Sequence, residues 1–240
     1  MVTEPAPAPS AATSTVAQRA ADVVATYFAA HLPRLEGYAA DMADAIGAHD
    51  AGTLTATRID DLIEPHAYGL LDHPDEPVYG AGFITALDLL SDAPSHLAWW
   101  QGSDRRKLVF PAQSVKQAID YRELEWFRVP STTGAAHVAG PYVDYLCSDE
   151  YTMTAAAPVV VDGVFVGVAG LDVLVDTVER RLTPSLRALH TPLLLVNGVG
   201  RVLVSTDPRF ASGDVLRPGH PDVVSRLRCT SIDLDVVIAA

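Results

Sequence analysis

The sequence predicts an α+β fold with a long N-terminal helix, an antiparallel sheet and a second, smaller β region at the C-terminus. Apolar residues recur at helical spacing over residues 16–46, which predicts the helix. Asp-Gly at 162–163 and Asn-Gly at 197–198 lie between β-rich runs and predict one hairpin in each β region. Antiparallel hairpins that alternate with single helices are typical of an α+β fold.

The N-terminal helix follows a lead, residues 1–13, whose Pro, Ala and Ser content predicts disorder. Thr13 or Ser14 can cap the helix, and Pro33 predicts a kink or a junction of two helices. The apolar stripe either packs inside the monomer or serves as a dimer contact, and both interpretations stay open. The stripe consists of Val16, Val24, Phe28, Leu32, Leu35, Tyr38, Met42 and Ile46.

Shorter elements are predicted between residues 53 and 127 from turn residues and local periodicity. Thr53 is expected to cap the second helix and Pro65 to end it. In order, the predicted elements are a helix over 54–65, a loop over 66–78, a strand over 78–83, a short helix over 86–90, strands over 96–101 and 107–110, and a helix over 114–127.

The rest of the chain is predicted to be rich in strands. Its one helix carries arginines toward the C-terminal half, where they complement the helix dipole. In order, the predicted elements are an extended segment over 141–146, a hairpin of 151–161 with 164–168, a helix over 176–189, a hairpin of 193–196 with 201–204, a polar loop over 207–222 and a strand over 232–239.

The composition excludes several classes of partner and site. Hydrophobic residues make up 49% and charged residues 20%, enough for a substantial core. The net charge of −13 argues against binding nucleic acid or anionic lipid. Cys147 and Cys229 have no CxxC or Cys/His spacing, so we expect buried free thiols and neither a structural zinc nor a cofactor.

The N-terminal residues also bear on location. They contain neither a basic nor an apolar signal region, and no run of 18 apolar residues occurs in the chain. We therefore expect no secretory signal, no membrane span and a cytoplasmic location.

Aromatic and acidic residues between positions 126 and 172 form the strongest functional pattern. Trp126 and Phe127 end a predicted helix. Tyr142 and Asp144 share one face of a strand because side chains alternate, and Asp172 comes later in the same sheet. Ring faces and carboxylates both attract ammonium, so the pattern indicates a site for an organic cation. In the alternative interpretation, Asp144 is an exposed strand residue and Asp172 caps the next helix.

Tyr121 and Arg122 are further candidates because they lie at the end of the same predicted helix. Arg122 can bind a ligand carboxylate through two hydrogen bonds. It can equally form a solvated ion pair with Asp120 or Glu125.

A pair of tryptophans, Trp99 and Trp100, supplies the last candidate. Their side chains point to opposite faces if the segment is a strand, so one belongs to the core and the other lines the site. We take Trp100 as the lining residue.

The order of these motifs resembles the Cache family, the PAS-like sensor domains of bacterial chemoreceptors and kinases. Such domains carry a long helix, a strand hairpin, a helix ending in Trp-Tyr/Phe, a Tyr-x-Asp strand and a hairpin ending in Gly-x-Asp. The resemblance covers residues 14–205 and is strongest over 114–175, and residues 193–205 resemble the opening of the second module of a double-Cache domain. After the lead over 1–13, it implies a Cache-like ligand-binding module with its N-terminal helix over 14–190 and an abbreviated second module over 191–240.

The resemblance also implies roles for residues. In amino-acid-binding members the Tyr-x-Asp and the late Asp hold the ligand ammonium, and an Arg just before the Trp binds the carboxylate. That Arg has no match here, because Leu124 stands two residues before Trp126 and Arg122 four before it. An amine without a carboxylate, or an amino acid in another orientation, is then a plausible ligand. The residues that carry over are Trp126, Tyr142, Asp144 and Asp172.

The sequence thus predicts a sensor rather than an enzyme. It would bind a small amine, amino acid or carboxylate and signal to a separate regulatory or transport protein, and a homodimer is one assembly that the sequence leaves open. Two alternatives stay open: an enzyme that uses Asp144 and Asp172 as acid and base, and a dimerisation scaffold that binds no ligand.

Overall fold

The polypeptide folds as two compact units. One unit combines the N-terminal residues up to Phe28 with Asp176–Ala240, and the other is Ala29–Val175. The computed structural model describes residues 11–50, 52–72, 77–109, 120–143, 150–217, 219–229 and 232–240.

The longest helix, α1, spans Ala11–Gly47 and contains Pro33. The structure has one helix here, so the prediction of two helices meeting near Pro33 is wrong. Proline removes one backbone N–H and therefore one helical hydrogen bond. The buried apolar stripe continues on both sides of it, through Phe28 and Leu35, and this burial sustains the helix.

The second helix, α2, spans Ala56–Leu71 and contains Pro65, which was predicted to end it. The loop predicted from residue 66 is therefore wrong over residues 66–71. The N-cap is Thr55 rather than Thr53, and its hydroxyl accepts a hydrogen bond from the Arg58 N–H at 3.2 Å. A buried stripe carries the helix past the proline; it consists of Ile59, Ile63, Ala67 and Leu70.

The unit Ala29–Val175 is built on an antiparallel sheet. Its strands are β1 (Gly80–Thr85), β2 (Leu97–Gln101), β3 (Arg106–Lys107), β4 (His137–Val143), β5 (Tyr151–Val161) and β6 (Val164–Leu174). They form one six-stranded sheet in the order β3-β2-β1-β6-β5-β4, with every neighbouring pair antiparallel.

The hairpin between β5 and β6 confirms its sequence signal. Asp162 and Gly163 have φ values of 51° and 79°, the left-handed pair that a type I′ turn requires. Glycine adopts such a φ without steric cost, and aspartate tolerates it better than most residues. This local turn fixes the register of the two longest strands.

Two predicted helices differ from the structure. Residues 86–90 form a turn, in which Asp88 has a φ of 60° and its N–H donates to the Pro94 carbonyl. The helix predicted over 114–127 is described only from residue 120, as a 3-10 turn at Tyr121–Glu123 and a helix α3 at Glu125–Thr133. Leu124 has an extended backbone between them, so the helical segment breaks there.

Helices cover both faces of the sheet. Helix α2 contacts β1 and β2, while α3 contacts β4, β5 and β6. The 3-10 turn and α3 pack on a cluster that includes Trp99, and Trp100 faces α2 instead. The predicted α+β class, with a long N-terminal helix and an antiparallel sheet, is confirmed.

The other unit contains helix α4 and a second sheet. Helix α4 spans Val175–Arg187, and the strands are β7 (Leu193–Asn197), β8 (Val202–Ser205), β9 (Val223–Arg228) and β10 (Leu234–Ala239). The sheet order is β8-β7-β10-β9. Strand β9 was not predicted, because it lies at an edge and alternates half-buried with exposed residues, three of them polar.

The structure bears on the expectations about membrane spans and cysteines. Over the described residues, none of the helices is both long enough and apolar enough to cross a bilayer. Cys229 is a buried free thiol, and burial raises its pKa to about 11. Cys147 lies outside the described residues.

Candidate functional site

The register of the large sheet brings Asp172 to the face that α3 covers. Asp172 on β6 lies opposite Gly80 on β1 and opposite Thr154 on β5. Residues directly opposite each other in a sheet point to the same face. Two residues further along that face are Gly82 and Gly170, which again pair with one another.

A chain of hydrogen bonds joins the predicted polar residues on this face. The Thr154 hydroxyl donates to Asp172 Oδ1 at 2.5 Å. The Tyr142 hydroxyl contacts the same Thr154 oxygen, and it donates there because the single threonine proton is already used. Asp172 is 3% exposed, so its carboxylate lies in a buried polar network.

The backbone of β4 explains how Tyr142 reaches this network. Ala139 lies opposite Thr154, and Tyr142 lies opposite Thr152, with a register shift between Ala139 and Tyr142. A bulge inserts an extra residue, so positions three apart can face the same side. Asp172 belongs to β6 and bonds to Thr154, so it is not the helix cap that the alternative interpretation required.

Aromatic rings lie above the same face of the sheet. Tyr121, Trp126 and Phe127 are all buried in one cluster. The ring centroids of Tyr121 and Trp126 are 6.1 Å apart, and those of Trp126 and Phe127 are 6.3 Å apart at 75°. These are ordinary separations for tilted and edge-to-face aromatic pairs. The break at Leu124 turns the chain between the 3-10 turn and α3, and both carry rings to this cluster.

The two tryptophans of β2 occupy opposite faces, as alternation predicts, but the lining residue is the other one. Trp99 belongs to the cluster with Tyr121 and Trp126. Trp100 packs against Tyr68 of α2, with ring centroids 6.3 Å apart at 80°. The structure therefore does not bring Trp100 to the site, because the sequence could not tell which face α2 covers.

Arg122 does not point to this site either. Its guanidinium holds the Asp120 carboxylate through two hydrogen bonds, at 2.8 Å and 2.6 Å, and the Arg122 side chain is 60% exposed. Hydrogen bonding to Arg122 lowers the pKa of Asp120 and raises that of Arg122. The solvated ion pair is thus the observed arrangement. Asp144 lies outside the described residues, directly after the last described residue of β4, Val143.

Three further features of this unit bear on its chemistry. Asp60 of α2 bonds to His96 at 2.8 Å and also contacts Lys107, which ties the helix to the sheet edge. A groove of about 590 Å³ lies between α1, β5 and the residues just before β4, and none of the predicted site residues lines it. Within the described ranges, His, Cys, Asp and Glu nowhere form a group of three or more that could hold a metal ion.

Comparisons with known proteins match this fold. Residues 103–180 match the family model of the methyl-accepting chemotaxis protein-like, first PDC sensor domain. No curated protein sequence matches the chain. The solved structures it resembles share low identity, so their likeness bears on the fold.

Two chemoreceptor domains illustrate the match. The ligand-binding domain of Campylobacter jejuni chemoreceptor Tlp3 in complex with L-valine has a TM-score of 0.63 at 10% identity, covering 94% of this chain and 90% of that one. The ligand-binding domain of Pseudomonas fluorescens chemoreceptor CtaA in complex with L-serine has a TM-score of 0.58 at 13% identity, covering 95% and 94%.

A third example extends the range of bound molecules. The ligand-binding domain of Pseudomonas aeruginosa PAO1 chemoreceptor PctB in complex with L-Arg has a TM-score of 0.56 at 17% identity, covering 95% of this chain and 85% of that one. The resemblance to Cache-type, PAS-like sensor domains is thereby confirmed at the level of the fold.

Proposed function

We propose that this chain, which has the fold of Cache-type sensor domains, binds a small amine or amino acid and signals its presence to a separate partner. The observation that carries the proposal is the buried Asp172 carboxylate, bonded to Thr154 and through it to Tyr142. Buried rings of Tyr121 and Trp126 lie on the same face.

The chemistry of these groups suits an ammonium. A carboxylate is costly to bury unless a cation or several donors compensate it. An ammonium brings three donors, and a carboxylate accepts several hydrogen bonds. Aromatic rings exclude water, which strengthens the ionic contact, and their faces attract the same cation.

Related folds support this class of ligand. The similar domains from Tlp3, CtaA and PctB were solved with L-valine, L-serine and L-Arg respectively. A sensor of this kind transmits a signal only if the ligand binds two conformations with different affinities. We propose that a separate protein responds to this change of conformation. We also propose that the chain acts as a homodimer.

A binding screen tests the proposal. One or more of the standard amino acids, or the amines left when their carboxylates are removed, should raise the melting temperature of wild type. At a hundredfold excess over Kd the free energy of unfolding should rise by about 2.7 kcal/mol. Asp172→Asn keeps the shape and the acceptor for Thr154 but removes the charge, so the ligand-induced shift should disappear.

Asp104→Asn provides a matched control, since Asp104 is an exposed acid that pairs with Arg106 in the turn between β2 and β3. It should keep the full ligand response. The proposal fails if a broad panel of amino acids and amines produces no shift, or if Asp172→Asn responds as wild type does.

A further inference from the structure

The indole of Trp99 carries a buried donor without a hydrogen-bond acceptor. Trp99 is 3% exposed, and its Nε1 has no partner among the residues that the structure describes. Buried indole N–H groups normally find an acceptor, and an exception calls for a physical explanation.

The surroundings of this donor place it beside Asp172. The indole lies flat over glycines on β1 and β6: its benzo edge would be 3.1 Å from a Cβ at Gly170, and Nε1 only 2.7 Å from one at Gly80. Gly80 is the residue directly opposite Asp172. Nε1 therefore lies over the β1 residue that neighbours the carboxylate, on the same face of the sheet.

The glycines give the ring this position. A Cβ at Gly82 would be 2.1 Å from the Ala98 carbonyl oxygen and 2.7 Å from the Trp99 ring, so no larger residue fits there unless the sheet moves. The surface of the sheet under the indole is therefore glycine backbone. The Asp172 carboxylate lies at one end of this surface, and the neutral Nε1–H of Trp99 lies next to it.

We propose that Trp99 determines ligand specificity by donating its Nε1 hydrogen bond to a carboxylate oxygen of an α-amino acid whose ammonium is held by Asp172. This inference rests on the proposed function and narrows it from amines in general to amino acids. The position two residues before Trp126 is Leu124, and Arg122 holds Asp120. A neutral indole donor supplies the contact that neither of these residues makes.

Trp100 offers a matched control in the neighbouring position. Its Nε1 also has no partner among the described residues, and it is 1% exposed. It packs on Tyr68 on the opposite face of the sheet, away from Asp172. Replacing either tryptophan by phenylalanine removes one N–H and part of a buried ring, but only Trp99 should affect ligand binding.

The test compares each standard amino acid that binds wild type with the amine left when its carboxylate is removed; L-valine and isobutylamine are one such pair. By calorimetry, Trp99→Phe should raise the Kd for the amino acid about tenfold, which corresponds to the loss of one buried hydrogen bond. The Kd for the amine should not change. Trp100→Phe should leave both affinities unchanged.

A second measurement needs no variant of Trp99 itself. The chain has three tryptophans, so a spectrum of ¹⁵N-labelled protein contains three indole N–H signals. Trp100→Phe and Trp126→Phe identify two signals, which leaves that of Trp99. The Trp99 signal should move downfield with the amino acid and stay in place with its amine.

The outcomes separate this inference from the proposed function. If wild type binds the amino acid and Asp172→Asn abolishes binding, but neither the Trp99 signal nor the Trp99→Phe affinity responds, the indole role is wrong and the sensor proposal stands. Binding of amines alone likewise overturns the indole role and leaves the sensor proposal standing. If wild type binds neither the amino acids nor the amines, the proposed function fails and the indole role fails with it.

Discussion

At the scale of single residues, Thr154 holds the candidate site together. It accepts from the Tyr142 hydroxyl and donates to Asp172 Oδ1, so one side chain links two of the predicted residues. The signal that identifies it is the register, because Thr154 lies directly opposite Asp172.

We expect Thr154→Val to lower the free energy of unfolding by about 1–3 kcal/mol, since it removes the buried hydrogen bonds that Thr154 makes with Asp172 and Tyr142 at nearly unchanged volume. Urea denaturation measures the loss. Thr154→Ser should recover most of it by restoring the hydroxyl. Thr132→Val is the control, because Thr132 is exposed on α3 and should change stability by no more than about 0.5 kcal/mol. A Thr154→Val protein as stable as wild type contradicts this role.

At the scale of elements, α2 is fastened to the sheet through Asp60. His96, just before β2, and Lys107 of β3 both contact this carboxylate. Burial alone would raise the pKa of Asp60, but hydrogen bonds from His96 and Lys107 outweigh it and hold the pKa below its ordinary value.

This depressed pKa predicts a pH dependence of stability. A carboxyl whose pKa is lower in the folded state stabilises the fold above its unfolded pKa, and that contribution is lost as pH falls through the folded pKa. Urea denaturation should therefore show wild type more stable than Asp60→Asn at pH 5, with the difference shrinking toward pH 3. Asp104→Asn is the control, because Asp104 forms an exposed ion pair with Arg106. Its difference in stability from wild type should change far less between pH 5 and pH 3. A difference that grows on acidification would contradict the assignment.

Helix α1 carries a second element-level prediction at Pro33. The residue is exposed inside a continuous helix, where proline costs one hydrogen bond and some steric strain. Pro33→Ala should raise the free energy of unfolding by about 1–3 kcal/mol, measured by urea denaturation. A loss of stability would contradict this prediction. It would mean that the backbone at Pro33 favours proline and that burial of the apolar stripe does not by itself sustain the helix.

At the scale of the whole molecule, all the described site residues belong to the unit Ala29–Val175. The other unit has its own sheet and a core cluster formed by Leu194, Val196, Val202, Leu216 and Val237. The candidate site and the second sheet are therefore built by different parts of the chain.

Hydrogen exchange should report this separation. An amino acid that binds wild type is expected to slow amide exchange most in β1, β5 and β6, because ligand stabilises the state that contains the site. Amides of β7 and β10 should gain less protection. The same experiment on Asp172→Asn controls for effects of the compound itself. Equal protection of both sheets would contradict a site confined to the larger unit.

The sequence by itself determined the features that depend on local chemistry. Turns such as Asp162-Gly163, the apolar stripe of α1 and the alternation of Trp99 and Trp100 follow from backbone geometry over a few residues. The same reasoning brought Tyr142 and Asp172 to a common surface. It failed at Pro65, where burial of the helix stripe outweighed a local helix breaker.

Only the tertiary structure decided which face of the sheet each helix covers. That choice put Trp99 rather than Trp100 beside Asp172, and it left Arg122 in solvent with Asp120. A strand has two faces that its own sequence can make equally apolar, so packing between distant segments is what distinguishes them. The identity of the groups around a ligand is for this reason a property of the fold, while the supply of candidate groups is a property of the sequence.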